Sequence, residues 1–412
     1  MIRRSMPARL GPPDQPRRDG QTERGPEIGG TGIDRSEIGG AAASDAVDLL
    51  VVGTGPVGAV LAQRAISCGL SVLVVERDPA VVAGPYPLPR AVAADDEVQL
   101  LLSRTAPGCL DGALVDQQVR LLDGRRRELG RLCFPLSRHG FSGLAFFDQP
   151  ALEDRLRVGL DLRCGSLVGL SQDANGVDAA FADGSVVRAS WVVGCDGASS
   201  SVRSLAGLGW RGRDLTQPWL VCDVAGSVPE RRLFTYTCDP AQPQVDLPTP
   251  RGHRWEWLGA APSSLPELLA RDVDPATVEV QRAVVYRFGA RRAVSWRSGR
   301  VLLAGDAAHT MPPFAGQGLG AGVRDAWSLG WRLAAGRVDG YEAERMPHVR
   351  EMTRLSLAVG AALQTRSASA AGVRDLLLRQ AFATPRLGPW LSRGGPRSSV
   401  SGVWEATPAS LR

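Results

Sequence analysis

Hydrophobic positions near residue 50 fall into blocks that predict a strand, a helix and a second strand. Val47–Val52 is apolar except for one aspartate and has the length of a buried strand. Residues 59–67 carry small and apolar side chains at helical spacing, and Gly69 ends that segment. A second apolar run, residues 72–75, follows and ends in Glu76. The pattern predicts a β-α-β unit with two parallel strands.

The turn between the first strand and the helix reads Gly53-Thr54-Gly55-Pro56-Val57-Gly58. In such a turn the glycines allow a sharp bend and a close backbone approach, and the helix N-terminus attracts a pyrophosphate. Glu76 lies 23 residues beyond Gly53, where a carboxylate accepts hydrogen bonds from an adenosine ribose. The chain holds 48 glycines, so this spacing alone is weak evidence for a nucleotide site. The predicted strand before it and the predicted helix after it strengthen that evidence. The segment therefore predicts dinucleotide binding.

Composition changes this picture little. The 412 residues are 44% apolar, enough for one large or two moderate domains, and no apolar run approaches the roughly 20 residues of a membrane helix. The net charge of +5 comes from arginine without any lysine. These arginines are scattered and form no basic stripe with interleaved aromatic residues, so nucleic-acid binding is not indicated. We expect neither a membrane span nor a nucleic-acid partner.

The cysteines and the chain ends carry further expectations. Seven cysteines form no C-x-x-C pair, which favours free thiols in a reducing compartment and hence a cytoplasmic protein without a metal site. Residues 1–46 are rich in Gly, Pro and charge, which predicts a disordered tail. Residues 385–412 are rich in Pro, Gly and Ser, and we expect weak order there after a last helix over 370–383.

Two later segments also place polar residues at the ends of apolar strands. The run beginning at Trp191 ends in Cys195-Asp196-Gly197 and turns through serines toward Arg203. The run 300–304 ends in Gly305-Asp306, and Pro312-Pro313 then leads into the glycine-rich start of a helix at residues 316–320. Free N–H groups at such a helix start favour negative charge laid against them. Both segments are candidate cofactor sites at a crevice of the sheet.

With these three segments together, the chain resembles the FAD-dependent aromatic hydroxylases of the para-hydroxybenzoate hydroxylase group, the class A flavoprotein monooxygenases. The glycine turn matches the dinucleotide motif of that group, Asp196-Gly197 its Asp-Gly motif and Gly305-Asp306 its Gly-Asp motif. Within the group, the sequence is most similar to the 3-(3-hydroxyphenyl)propionate hydroxylases around Pro89-Arg90, Arg254-Trp255-Glu256 and residues 311–318.

The resemblance implies an α/β fold with three parts. A Rossmann-like FAD-binding domain would comprise residues 47–118, 149–208 and 298–345. An inserted β-sheet substrate domain would comprise residues 119–148 and 209–297, which contain strand-like runs at 219–224, 233–238, 254–258 and 283–288. Helices would follow over 346–384.

The resemblance also implies an activity. NADH or NADPH would reduce FAD, and a flavin C4a-hydroperoxide formed with O2 would hydroxylate a small phenolic or aromatic substrate, in a monomer or homodimer. Asp306 would meet a ribityl or ribose hydroxyl, Arg90 and Gln149 the flavin, and Arg203 a pyrophosphate. The full set of implied cofactor residues is Gly53, Gly55, Pro56, Gly58, Glu76, Arg77, Arg90, Gln149, Asp196, Gly197, Arg203, Gly305, Asp306, Pro313, Gly316 and Gly318.

Several alternatives stay open. Asp196 could cap its helix and Arg203 could be an exposed arginine. Tyr236, Tyr286 and His253 are candidates for phenol deprotonation, but the sequence singles out no catalytic residue. The enzyme could tailor an aromatic polyketide or another secondary metabolite.

The same FAD frame also serves a non-oxygenating flavin reductase or a non-catalytic FAD-binding module. Trp255-Glu256-Trp257 resembles part of a flavin halogenase motif, but the expected Ile-Pro and a lysine are missing.

Overall fold

The computed structural model describes residues 46–84, 93–137, 139–226, 228 and 233–392. The predictions for Arg90 and for the tails 1–45 and 393–412 therefore lie outside the described residues. The strands are β1 (Val47–Val52), β2 (Val72–Glu76), β3 (Ala93–Ala94), β4 (Gln118–Asp123), β5 (Glu128–Cys133), β6 (Ala145–Phe146), β7 (Leu162–Cys164), β8 (Leu167–Gln172), β9 (Val177–Phe181), β10 (Val186–Gly194), β11 (Trp210–Asp214), β12 (Trp219–Ala225), β13 (Phe234–Cys238), β14 (Gln244–Thr249), β15 (Gly252–Leu258), β16 (Glu279–Tyr286), β17 (Gly289–Ala293), β18 (Arg297–Ser298), β19 (Val301–Leu303) and β20 (His309–Thr310).

Helices connect and cover these strands. They are α1 (Pro56–Ser67), α2 (Pro79–Ala83), α3 (Asp96–Thr105), α4 (Gln149–Arg157), α5 (Ser201–Leu205), α6 (Leu265–Ala270), α7 (Gly318–Ala334), α8 (Tyr341–Leu363), α9 (Ala368–Ala383) and α10 (Leu387–Ser392). The prediction that the helix ending near residue 383 is the last one is wrong, because α10 follows it directly. Among the described residues, none of these helices combines the length and apolar character needed to cross a bilayer.

The predicted β-α-β unit is confirmed. Strands β1 and β2 run parallel, with Leu50 opposite Leu73, and β10 pairs parallel on the other side of β1. The order β18-β19-β10-β1-β2-β7 makes one sheet, which β9 and β8 extend from β10. Leu49, Leu50 and Val51 are fully buried, because α1 and its neighbours cover the sheet.

Small residues let two helices approach the sheet and each other. A Cβ added at Gly322 of α7 would lie 2.5 Å from Cγ2 of Val57, at the start of α1. A Cβ at Gly305 would lie 3.0 Å from the same side chain. The glycine turn, the Gly-Asp segment and α7 are therefore held together by one close contact around Val57.

A second sheet has the order β16-β12-β15-β14-β13-β4-β5. Strand β13 pairs parallel with β4, so that Phe234 lies opposite Val119, and this pairing joins strands from two distant parts of the sequence. Strand β14 was not predicted, because its Pro248 disfavours a strand, although Val245 and Leu247 are buried. The mixed α/β fold with an inserted β-sheet part and a C-terminal helical segment is confirmed.

Candidate active site

A cavity of about 720 Å³ lies where the first sheet meets the second. On one side it is bounded by the carboxyl ends of β1, β2 and β10, where open α/β sheets usually bind ligands. On the other side it is bounded by side chains of β12, β13, β14, β15 and β16. One cavity thus spans the predicted dinucleotide turn and the predicted substrate sheet.

The glycine turn has the geometry that a pyrophosphate site requires. Gly53 has a φ of +102°, a value that side chains rarely allow. A Cβ at Gly58 would lie 2.0 Å from the carbonyl oxygen of Gly53, so this position also excludes a side chain. Helix α1 begins at Pro56 without a side-chain cap, and its first N–H groups are therefore available to an anion.

Glu76 links the glycine turn to the end of β2 by hydrogen bonds. Its Oε2 accepts hydrogen bonds from the backbone N of Thr54 at 3.1 Å and from Oγ1 of Thr54 at 3.2 Å. Its Oε1 accepts from the backbone N of Arg77 and of Asp78. Glu76 and Arg77 both line the cavity, and the predicted ribose contact of Glu76 stays a prediction.

Helix α4 presents three polar side chains, spaced four residues apart, toward the glycine turn. Gln149 donates to Glu153 at 2.7 Å, and Arg157 donates to Glu153 at 3.0 Å. Arg157 also donates to the carbonyl oxygen of Thr54 through Nε and Nη2. All three side chains line the cavity, although only Gln149 was predicted to do so. The spacing of four residues was the signal that could have identified the other two.

Asp196 has a structural role that the sequence left open. Its carboxylate accepts hydrogen bonds from Ser200 Oγ at 2.5 Å and from the backbone N of Ser201 at 2.7 Å, so it caps α5. Asp196 and Gly197 nevertheless line the cavity, at the end of β10.

Arg203 contacts backbone carbonyl groups and a tryptophan ring. Its guanidinium donates to the carbonyl oxygens of Ala307 at 3.0 Å and Ala198 at 2.8 Å, and it stacks over the ring of Trp210 at 4.0 Å. Arg203 does not line the cavity within the described part of the chain. This arginine ties α5 to the loop that follows Gly305, because its donors meet carbonyl groups there, and its predicted contact with a pyrophosphate stays a prediction.

The Gly-Asp segment rests on a buried charge network. Asp325 of α7 accepts hydrogen bonds from the backbone N of Gly305 at 3.2 Å, from His309 at 2.6 Å and from Arg345 at 2.9 Å. Despite full burial, the pKa of Asp325 is held below its usual range by His309 and Arg345. Gly305 is thereby fixed, and the neighbouring Asp306 lies exposed in the cavity wall.

The loop before α7 is held from both sides. Tyr236 of the second sheet donates its hydroxyl to the carbonyl oxygen of Phe314 at 2.9 Å, and Ser356 of α8 donates to that of Pro312 at 2.5 Å. Gly316 has a φ of +64°, and α7 begins at Gly318 without a side-chain cap. Pro313, Gly316 and Gly318 therefore present backbone to the cavity beside uncapped N–H groups.

The second sheet supplies an apolar wall with a polar end. Val221, Phe234, Val245, Leu247 and Phe288 line the cavity, as do the aromatic rings of Tyr236 and Tyr286. The charged side chains of this wall that line the cavity are Arg254, Glu256 and Arg282.

The opposite face of the same sheet holds His253, one of the three candidates for phenol deprotonation. His253 is buried there, 3.3 Å from Asp246 and beside the ring of Trp255. Trp255 and Trp257 pack on Leu268 and Leu269, so these tryptophans are core residues.

Twelve of the sixteen predicted cofactor residues line this cavity: Gly53, Gly55, Pro56, Glu76, Arg77, Gln149, Asp196, Gly197, Asp306, Pro313, Gly316 and Gly318. Gly58 and Gly305 do not line the cavity, but their missing side chains allow the close packing of the segments that do. Arg203 lies apart, and Arg90 is not among the described residues. No group of three or more histidine, cysteine or carboxylate side chains in the described ranges is arranged to hold a metal ion.

This geometry defines an α/β protein that binds a dinucleotide beside an apolar, sheet-lined pocket. Comparison with known families agrees, since residues 148–245 and 263–356 match the FAD binding domain family. The chain is 36% identical over 389 residues to a 3-(3-hydroxy-phenyl)propionate/3-hydroxycinnamic acid hydroxylase of Mycobacterium avium (strain 104), covering 82% of this chain and 65% of that protein. It is 35% identical to a probable NADH-specific resorcinol 4-hydroxylase of Rhodococcus jostii (strain RHA1), covering 80% of this chain and 68% of that protein.

The chain belongs to the family of FAD-dependent aromatic hydroxylases. The fold agrees with the crystal structure of p-nitrophenol 4-monooxygenase PnpA from Pseudomonas putida DLL-E4, with a TM-score of 0.73 and 23% identity over 86% of this chain and 100% of that one. The chain spans 65% of the length of its Mycobacterium avium relative.

Proposed function

We propose that this protein is an FAD-dependent monooxygenase that uses NADH or NADPH and O2 to hydroxylate a phenolic substrate. The observation that carries the proposal is the single cavity that runs from the glycine turn, past the backbone of residues 313–318, to the apolar face of the second sheet. A volume of about 720 Å³ lies within the range of small-molecule and cofactor sites.

The residues present fit FAD. The uncapped start of α1 and the side-chain-free positions Gly53 and Gly58 suit a pyrophosphate. Glu76 would hold the adenosine ribose and Asp306 a ribityl hydroxyl. The uncapped start of α7 suits a ring that carries negative charge. When bound, the flavin supplies the redox and oxygen chemistry, while the chain orients the substrate and keeps water away from it.

The named activities of the two curated relatives support a phenol with a short acidic side chain or a resorcinol as substrate. NADH is favoured as the reductant by the name of the Rhodococcus relative. A hydroxylase that tailors a larger aromatic metabolite is the second candidate, because most of the side chains that the second sheet contributes to the cavity wall are apolar or aromatic. The cytoplasmic location and the monomeric or homodimeric state stay predictions.

The test is to purify the protein, record its flavin spectrum, and follow NADH and NADPH oxidation in air with a panel of phenols. The panel includes 3-(3-hydroxyphenyl)propionate, resorcinol and a larger polycyclic phenol. Bound FAD, oxidation stimulated by a phenol and an oxygenated product are expected. Oxidation that no phenol stimulates would favour a flavin reductase, and a protein that cannot be loaded with FAD would contradict the proposal.

A further inference from the structure

The inference concerns Glu256 and rests on the proposed function. Alternate side chains of a strand point to opposite faces of a sheet, and β15 follows this rule. His253, Trp255 and Trp257 face the core of the second sheet, whereas Arg254 and Glu256 line the cavity. Glu256 is thus one of the charged groups at the substrate end of the cavity.

The other charged groups at this end are engaged with one another. Asp223 of β12 accepts from Nε of Arg254 at 2.6 Å and from Nη2 of Arg254 at 3.1 Å. Arg282 of β16 lies 2.7 Å from the same carboxylate. These three side chains are buried, and they satisfy each other's charge within the sheet.

Glu256 differs from them. Within the described residues, its carboxylate makes no hydrogen bond or salt bridge, and the residue is only partly buried where it lines the cavity. The charged groups that act on it are Arg254 on its own strand and Asp223 and Arg282 on β12 and β16. Tyr236 of β13 interacts with it electrostatically, and Tyr286 lines the same cavity. A carboxylate that points into an enclosed cavity needs a hydrogen-bond donor there, because burial without one is costly.

The electrostatics of the site are compatible with proton transfer. Burial raises the pKa of Glu256, Arg254 and Arg282 oppose that rise, and Asp223 adds to it. A carboxylate with a raised pKa is a stronger base than an exposed one and is better matched to a weak acid such as a phenol.

The apolar walls leave little choice of ligand for this carboxylate. Phe234, Phe288 and Val245 line the cavity on either side of it and suit an aromatic ring. A ring placed among them would need a hydroxyl group directed toward Glu256, because an apolar or an acidic group there would leave the carboxylate unpaired or repel it.

We propose that Glu256 binds the hydroxyl group of the phenolic substrate and removes its proton. The phenol O–H bond breaks, its electron pair stays on the oxygen, and the proton moves to a carboxylate oxygen of Glu256. The phenolate formed is the more electron-rich ring and is therefore the better acceptor of an electrophilic OH group.

The kinetic test uses the FAD-loaded enzyme, Glu256→Gln, and the matched control Glu279→Gln, whose site is an exposed position of β16. Glutamine keeps the size of glutamate but cannot take the proton. With the phenol that best stimulates the wild type, we expect kcat of Glu256→Gln to fall by about 100-fold or more, with a small change in KM. The loss should shrink with more acidic, ring-fluorinated phenols, and Glu279→Gln should match the wild type.

The pH profile separates this role from a structural one. The wild-type rate should fall on the acid side as Glu256 is protonated, and this fall should be absent in Glu256→Gln. A profile with the same acid limb in both proteins, or an equal loss for all phenols regardless of acidity, would overturn the proposal. If Glu256→Gln does not fold, Glu256→Asp serves instead and should retain the acid limb with a reduced rate.

A binding measurement keeps this inference separate from the proposed function. The flavin absorbance reports binding of 3-(3-hydroxyphenyl)propionate and of its methyl ether, which has no donor. The wild type should bind the phenol about tenfold more tightly than the ether, because a hydrogen bond to a charged group is lost with the ether. Glu256→Ala should lose this preference. Equal binding of both ligands by the wild type would refute the inference even where turnover is observed.

Discussion

Two glycines of the turn, Gly55 and Gly58, should respond to the same substitution in opposite ways. Gly55 has a φ of −59°, and a Cβ added there would meet nothing within 4 Å. Gly55→Ala should therefore leave the FAD-free protein unharmed, or stabilise it by about 0.4–1 kcal/mol through the unfolded state. The new methyl group would point into the space that we assign to the pyrophosphate, and FAD binding should be lost.

Gly58→Ala should damage the fold itself. Its Cβ would lie 2.0 Å from the Gly53 carbonyl oxygen, whereas real contacts essentially never fall below 3.0 Å. About 1 Å of movement between helix and turn is therefore needed, and such overpacking costs about 1–3 kcal/mol. Gly372→Ala in α9, where a Cβ also meets nothing within 4 Å, is the matched control. It should leave FAD affinity unchanged and raise the free energy of unfolding by about 0.5–1 kcal/mol, because alanine is the better helix former.

Thermal unfolding with and without FAD separates the two effects. FAD at about 100 times its Kd should stabilise the wild type by about 2.7 kcal/mol. Gly55→Ala should unfold at the wild-type temperature or above without FAD, and should gain nothing when FAD is added. Gly55→Ala with wild-type FAD affinity would refute the assignment of the pyrophosphate to this turn. Gly58→Ala with wild-type stability would refute the packing argument.

Three further predictions concern groups in the cavity wall or behind it. Asp325→Asn should lower the free energy of unfolding by about 3 kcal/mol or more, because it leaves the buried Arg345 without its charge partner. Urea titration measures this loss, and an unchanged unfolding midpoint would contradict it. Burial and Arg345 lower the pKa of His348 from 6.5 to about 3. Between these values the unfolded chain binds the extra proton, so stability falls as the pH falls, by up to about 1.4 kcal/mol per pH unit. His348→Gln should show a shallower loss between about pH 7 and 5, and an equal slope would exclude this role. Tyr236→Phe removes the 2.9 Å hydrogen bond to the carbonyl oxygen of Phe314 and should lower the free energy of unfolding by about 1–3 kcal/mol. It should also speed FAD release, which flavin fluorescence measures. An unchanged release rate would show that the loop does not depend on this bond.

Local chemistry explains why much of the cofactor site could be predicted from the sequence. The turn 53–58, the Asp-Gly segment and the Gly-Asp segment each join a strand to the following turn, and parallel strands bring their carboxyl ends to one edge. A motif of this kind carries its own geometry, because the glycines and the strand direction fix where the backbone N–H groups point. The cavity accordingly collects most of the residues named from these motifs.

The sequence says least about the partners of long side chains. Arg203 directs its guanidinium to two carbonyl groups and a tryptophan ring, although its position after the Asp-Gly motif favoured a phosphate. Arg157, in contrast, reaches the glycine turn from α4, which is distant in sequence. Arginine reaches several positions from one Cα, so its partner depends on which elements pack beside it.

The sequence by itself determined the β-α-β unit, the glycine turn and the strand-like runs of the second sheet, because these follow from periodicity and backbone restrictions that act over a few residues. The alternation of β15 was equally visible in the sequence. Only the tertiary structure decided that the face carrying Glu256 meets the cavity and that the face carrying Trp255 and Trp257 is covered by core residues. That choice depends on how the second sheet packs against the loop before α7, a contact between residues far apart in the chain that no local pattern encodes.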